Sequence, residues 1–261
     1  MGARTIIGVV LVVVAASGCA APTAPPASTS EPQPVATTEP PPPTTVSTTA
    51  ITTTTHTATT TVAQREIVAL EVRTRESWGA QPPDRELTAH EIEAITLHHT
   101  ATSLPDTTIE ERLRIWQDYH QSLGFGDIAY HFIIDKDGQV FEGRGVGFVG
   151  ATRTAYDPAG HFLPALDGMF DEFWDSPDDD DDEPDGADEL TETQLNGLVD
   201  LLAWASVEFG VDPADITGHR DHAATACPGS VVYELIESGE IARLVAERIE
   251  AVDFELAYVQ E

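Results

Sequence analysis

Near the C-terminal end of the sequence, a thiol and an imidazole stand close together in the run Thr217-Gly218-His219-Arg220-Asp221-His222-Ala223-Ala224-Thr225-Ala226-Cys227-Pro228-Gly229. Cys227 is one of two cysteines, and the other, Cys19, closes an apparent export signal. The mature chain therefore carries a thiol with no disulfide partner. In an exported protein such a thiol is an oxidation liability unless something protects or uses it. His219, eight residues upstream, suggests a use. A thiolate beside an imidazole is a soft donor pair suited to zinc. Adding His98 gives two imidazoles and one thiolate, three ligands that leave the fourth tetrahedral position to a water able to act as a nucleophile near neutral pH. Spacing alone does not decide the matter. His98 is distant in sequence, and His219 to Cys227 is not a structural zinc-finger spacing. A buried thiol with two surface histidines accounts for the same residues.

Elements that would hold these groups can be read from the flanking pattern. Ala94-Ile95-Thr96-Leu97 is a short apolar run that predicts a buried strand ending at His98-His99-Thr100. Thr107 or Thr108 caps a helix with Glu110 and Glu111 in its first turn. Along it Ile109, Leu113, Trp116 and His120 recur at helical spacing, and Gly124 and Gly126 end it. Ile128 to Ile134 alternates and predicts a strand, Asp135-Lys136-Asp137-Gly138 a hairpin turn, and Gln139 to Glu142 the return. Gly160 to Leu166 predicts a further strand, which Pro164 demotes to an edge or a bulge. Thr191-Glu192-Thr193-Gln194 has the form of a capping box opening a helix with Leu195, Leu198, Leu202 and Ala205 on one face, closing near Gly210. Asp212 to Asp215 forms a short turn, and a last helix is predicted from about Ser230 to Val252.

The rest of the chain sets the context. Residues 1–19 read as a signal peptide, with Arg4 before the apolar stretch Ile6–Ala16 and then Ser17-Gly18-Cys19. Small residues before a cysteine resemble a bacterial lipobox, which implies a lipidated Cys19 and a protein exported and anchored to the cell envelope, on its periplasmic or extracellular face. Residues 20–64, rich in Thr and Pro, hold too little apolar surface to fold and read as a disordered stalk. Residues 65–261 are enough for one folded domain, expected to be monomeric. Net charge is −32, from 13 basic and 45 acidic residues. Such a surface excludes nucleic acid as a natural partner. Residues 175–189 hold ten acids and no base and read as a solvated loop insert.

Four motifs occur in order: His98-His99-Thr100, Ile128-Ala129-Tyr130-His131-Phe132, Phe141-Glu142-Gly143-Arg144-Gly145, and Gly218-His219-Arg220-Asp221 with Thr225-Ala226-Cys227-Pro228-Gly229. Ser77-Trp78-Gly79-Ala80 precedes them. Together they resemble the peptidoglycan recognition protein and type 2 N-acetylmuramoyl-L-alanine amidase family, over about Arg73 to the final helix. The resemblance implies an α/β fold, a central mixed β-sheet flanked by helices. It implies Zn2+ held by His98, His219 and Cys227, a catalytic Tyr130 at the scissile carbonyl, and Thr225 as the site hydroxyl of the recognition-protein branch. The implied substrate is peptidoglycan or muropeptides, cut between N-acetylmuramic acid and L-alanine. In this family a missing cysteine accompanies binding without hydrolysis, so the alternative is a non-hydrolytic peptidoglycan-binding surface lipoprotein. Thr225 is too weak an acid to be an obvious proton shuttle.

Other histidines and motifs carry less. His99 and His131 neighbour His98 and Tyr130 and should point to opposite faces. His161 and His222 either line a groove or sit on the surface. Arg144 either braces the hairpin or meets a stem-peptide carboxylate. Gly143-Arg144-Gly145-Val146-Gly147 opens no predicted helix, which argues against a nucleotide loop. His219-Arg220-Asp221 lacks the companions of a kinase catalytic loop. Asp181 to Glu192 has some calcium-loop offsets, but Glu183, Pro184 and Asp188 fit them poorly.

Overall fold

The computed structural model describes residues 65–102, 104, 106–172 and 186–260. The signal peptide, the stalk and most of the acidic insert, with the larger part of the calcium-loop reading, lie outside the described residues. The elements in chain order are β1 (Glu66–Arg73), β2 (Ala94–His99), α1 (Ile109–Ser122), β3 (Phe132–Ile134), β4 (Val140–Glu142), β5 (His161–Phe162), β6 (Pro164–Leu166), α2 (Glu192–Phe209), β7 (Thr217–Gly218), α3 (Ser230–Glu237), α4 (Glu240–Ala251) and β8 (Val252–Val259).

These strands form one mixed sheet in which only β3–β4 pairs antiparallel. Strand side chains alternate between the two faces, and here the alternation sorts them into two cores. Phe132, Ile134 and Val140 join Leu198, Leu202, Val232 and Val245 beneath α2, α3 and α4. Ile133 and Phe141 join Trp78, Leu113 and Trp116 beneath α1. On β2, Ile95 and Leu97 belong to the α2 core. Thr96 and His98 therefore point to the face that carries α1.

Helix ends follow the sequence. Thr108 caps α1 in a full capping box with Glu111. Thr191 caps α2 by accepting from Gln194 N, but the Gln194 side chain donates to the carbonyls of Ile134 and Asp167 instead of closing the box. Gly210, at φ 69°, ends α2.

Four expectations change. Pro164 opens β6, an interior strand paired to both β2 and β3. β5 and β6 keep one register against β2 (Ala94↔His161, His98↔Ala165), so they are halves of one strand interrupted at Leu163. The proline is tolerated as the first residue after that break. Ile128–Ala129 is not strand, because side chains take its backbone groups: Arg144 donates to Ile128 O and His120 Nδ1 accepts from Ala129 N. The last helix is two, broken at Ser238–Gly239 with Gly239 at φ 78°. It is followed by β8, which pairs with β1 along its whole length, and neither strand was anticipated.

His131 is buried between the layers. Its Nδ1 accepts from Leu163 N at 2.8 Å, so Nε2–H donates to Phe148 O at 2.9 Å. Both ring nitrogens are satisfied only in the neutral form, and burial pushes the pKa down to about 3. Free histidine titrates near ~6.5, so the unfolded chain takes up this proton first as pH falls. The contribution is intact above that value and is lost progressively as pH drops towards the folded pKa. Thermal unfolding of wild type and His131→Asn between pH 7 and 4 should show a shallower acid loss of Tm in the variant; parallel curves would contradict the assignment.

Candidate metal centre

His98 is fixed by β2, and His219 is brought to it by register. β7 lies parallel to β2 with Thr96↔Thr217 and Leu97↔Gly218 in register. The next residues along the two strands are His98 and His219, whose ring centroids stand 4.6 Å apart. Asp221 ties down the single 3-10 turn His219–Asp221, accepting from Gly218 N at 2.8 Å and from Tyr233 OH on α3 at 2.6 Å.

The same turn closes the cysteine loop. Arg220 N donates to Cys227 O at 3.0 Å, and the Arg220 guanidinium, lying over the Tyr233 ring, donates to Ala226 O. Cys227 N donates to Thr225 Oγ1 at 3.2 Å. Gly229, at φ 93°, passes so close to Phe170 that a Cβ would lie 2.3 Å from that residue's carbonyl atoms. Only glycine fits there. The three residues His219-Arg220-Asp221 thus supply a candidate ligand, a loop clamp and a turn cap.

The structure brings His98, His219 and Cys227 together, with one ligand atom of each within 4.8 Å of the others. Cys227 Sγ is 3.5 Å from His98 Nδ1. Two donors bound to one tetrahedral zinc at about 2.0–2.3 Å stand roughly 3.3–3.6 Å apart, so this separation fits a shared ion. His98 Nε2 is buried with no hydrogen-bond partner. His219 Nε2 is held by Thr154 Oγ1 at 2.9 Å and Thr152 Oγ1 at 3.1 Å, which leaves Nδ1 for a metal. Burial holds both imidazoles neutral, His98 well below its ordinary value and His219 at about 4. It also pushes the Cys227 thiol up to about 12. A nearby dication would offset that penalty and favour the thiolate. Donor types and the Sγ–Nδ1 spacing fit zinc.

The centre opens into a cleft of about 430 Å³ lined also by Tyr119, Tyr130, Arg153, Met169 and Thr225. Tyr130 OH donates to His99 O at 3.2 Å, and its ring lies 5.5 Å from that of His98. Burial, then the Cys227 charge, raises the phenol's pKa, so it stays a neutral donor. His99 accepts from Phe170 N at 3.3 Å and takes no part in the ligand cluster. Arg144 is buried and donates to the carbonyls of Phe125, Asp127, Ile128 and Val149, so it braces the loop around β3 and β4. His161 and His222 stand outside the cleft, hydrogen-bonded to Thr96 and Thr217. Thr152, Arg153 and Thr154 were not anticipated. Their only sequence signal is two hydroxyls spaced by two in an aperiodic segment.

The profile described as N-acetylmuramoyl-L-alanine amidase (Amidase_2) matches residues 88–230, more than half of the chain. The chain belongs to that family. It is 31% identical to human N-acetylmuramoyl-L-alanine amidase over 64% of its own length, although the match spans only 28% of that longer protein. It is 29% identical to mouse peptidoglycan recognition protein 1 over 64% of this chain and 86% of the relative. Among solved structures, peptidoglycan recognition protein-LE in complex with tracheal cytotoxin, a monomeric diaminopimelic acid-type peptidoglycan, superposes with TM-score 0.52 at 27% identity, covering 64% of this chain and 92% of that one. Both amidases and recognition proteins are thus among the relatives, and the sheet with its flanking helices is the family fold.

Partners that orient a metal-bound histidine typically tune metal affinity by about 10–100-fold. The double variant Thr152→Val/Thr154→Val should lose zinc affinity by that order in chelator competition, with little change in the Tm of the metal-free protein. Thr→Ser at both positions should restore it; unchanged affinity in the valine variant would show that the pair does not orient His219.

Proposed function

We propose that this protein is a zinc-dependent peptidoglycan amidase, hydrolysing the amide between N-acetylmuramic acid and the L-alanine of the stem peptide. The observation that carries the reading is the complete His98, His219 and Cys227 set at the floor of an open cleft. A chain that only bound cell wall would have no need of a buried thiol converging on two unprotonated imidazoles. Names among the relatives, an amidase and a recognition protein solved with a peptidoglycan fragment, support the same substrate class.

Zinc, when bound, supplies Lewis acidity that activates water near neutral pH and polarises a carbonyl. The protein's own groups do the rest. Tyr130 presents an O–H beside His98, and retargeting it from His99 O to the scissile carbonyl oxygen would stabilise charge developing there. Thr225 accepts from the Cys227 backbone N–H and lines the cleft beside the candidate ligands. Thr152 and Thr154 hold the His219 ring, and burial keeps both imidazoles free of competing protons. Cys19 and the Thr/Pro stalk complete the proposal: a lipid anchor at the cell envelope, with the domain held within reach of the wall.

Wild type incubated with purified cell wall should release stem peptides detectable by mass spectrometry, and a chelator should stop the release. Cys227→Ala should lose both zinc and cleavage. Cleavage surviving in that variant would sink the mechanism, and wall binding by the zinc-loaded wild type without release would establish the non-hydrolytic alternative.

A further inference from the structure

β8 is the outermost strand at one end of the sheet. It pairs with β1 in unbroken register over its 8 residues, and among the described residues no strand takes its other edge. The sheet's opposite end is β5, only 2 residues long. Long regular edges are normally guarded by proline, lysine or a bulge. Val252-Asp253-Phe254-Glu255-Leu256-Ala257-Tyr258-Val259 has no proline, no basic residue and no bulge in its register.

The edge carries both halves of a contact. Val259 O accepts from Thr74 N, so Val259 and the alternate residues before it turn their peptide groups towards β1. The N–H and C=O groups of Phe254, Leu256 and Tyr258 therefore face away from the sheet. The side chains of Phe254 and Leu256 pack, partly buried, against the core under α2. Tyr258 shares their side by alternation, yet it is 53% exposed. Beside Phe254 lies a recess of about 170 Å³ lined also by Trp204, Val207, Ile249 and Val252, with Val207 exposed. One edge thus holds an exposed aromatic ring and an apolar recess.

We propose that this edge is a self-association surface, occupied by β8 of a second copy in antiparallel pairing, so that the sheet continues across a two-fold axis. An axis at Leu256 sets Leu256 against its own copy, Phe254 against the second copy's Tyr258, Glu255 against its Ala257 and Asp253 against its Val259. The outward peptide groups then pair with one another, and each Tyr258 reaches the other copy's recess. No acid stands directly opposite an acid, and Glu255 meets its own copy only diagonally. An axis at Glu255 would set that carboxylate against itself, and one at Phe254 would set Asp253 against Glu255. An axis at Ala257 shortens the overlap. Asp253 is in addition neutralised by Arg65 at 3.2 Å. Charge therefore selects the register, and the recess with its matching ring selects a second copy as the occupant. The pairing departs from the monomer expected of the sequence. Because the net charge of −32 opposes approach of two copies, it should tighten as salt screens that repulsion.

The test follows the full chain carrying Cys19→Ser, so that no lipid drives association, by sedimentation equilibrium across concentration. A reversible monomer–dimer equilibrium is expected, tightening several-fold as sodium chloride rises from about 0.05 to 0.5 M. Tyr258→Ser and Val207→Asn should each weaken it by roughly tenfold with little change in Tm, since each contact occurs twice in a symmetric dimer. Register is read by adding Leu256→Cys, Glu255→Cys or Ala257→Cys and oxidising mildly with zinc bound. Leu256→Cys should form the covalent dimer fastest, because opposed hydrogen-bonded residues lie ~5.5 Å apart, within disulfide reach. A monomer at every concentration and salt, a dimer that salt weakens, a dimer indifferent to either substitution, or fastest cross-linking at position 255 or 257 would overturn the inference. Capture of a lysine-rich extended peptide by a chain that stays monomeric would assign the edge to a foreign strand and overturn it too.

Discussion

The parallel pairing of β2 with the two-residue strand β7 is the constraint on which the site depends. It brings together histidines 121 positions apart in sequence (98 and 219) and sets them side by side at the sheet's end, because the pairing register runs straight from Leu97↔Gly218 to the ligand pair. β2 is held on its other edge by the interrupted strand β5–β6, and its apolar side chains are locked into the core under α2. A slip of one residue would turn His98 into the α2 core and His99 towards the cleft, so the register cannot shift without exchanging a ligand for a core residue. β7 is too short to hold itself. The hydrogen bonds of Asp221 to Gly218 and Tyr233, and of Arg220 to the cysteine loop, give the pairing its permanence.

The electrostatics of the centre follow from that packing. His98, His219 and Cys227 are driven by burial towards their neutral forms, and at the thiol burial outweighs the His99 N–H and the Arg220 guanidinium, which favour the thiolate. Groups of this kind are costly to bury unsatisfied. The unpartnered Nε2 of His98 is a visible part of that cost. A dication would take up the sulfur and one nitrogen of each imidazole and stabilise the thiolate, so metal binding and the order of the loop should be coupled. The histidines outside the cluster need no such partner. His99, His120 and His131 accept from backbone N–H groups and are spent on structure.

How far the sequence could be read depended on whether an element's signal was local. α1 and the Asp135–Gly138 hairpin were legible because capping hydroxyls, turn glycine and periodic apolar residues sit within a few positions of one another. The ligand candidates were legible through residue type and motif order, while spacing alone left a buried thiol equally open. β1 and β8 each alternate, yet they are stabilised chiefly by pairing with each other across nearly the whole domain, a contact with no local trace. Pro164 misled because proline is usually expelled from interior strands, and the break at Leu163 that accommodates it comes from His131 taking the Leu163 N–H. Thr152, Arg153 and Thr154 were invisible for a similar reason. They belong to no periodic element, and their meaning lies in what stands opposite them.

A chain with net charge −32 has to meet its partner in spite of its own field. At physiological salt that field is screened over about 8 Å, so the acidic surface governs solubility and long-range repulsion but not contacts inside a cleft. Within the cleft the histidines are neutral, Tyr130 keeps its proton, and the local balance is set by very few groups. Under these conditions Arg153 and Asp171, which both line the cleft, weigh more in the character of the site than many surface carboxylates do. The commitment of most other arginines to ion pairs and backbone carbonyls keeps the fold together without adding positive charge to the groove. The acidity of the chain and the selectivity of its cleft are therefore separable: the first belongs to the solvent-facing surface, the second to the few side chains that the β2–β7 pairing and the segment beside His219 place around the centre.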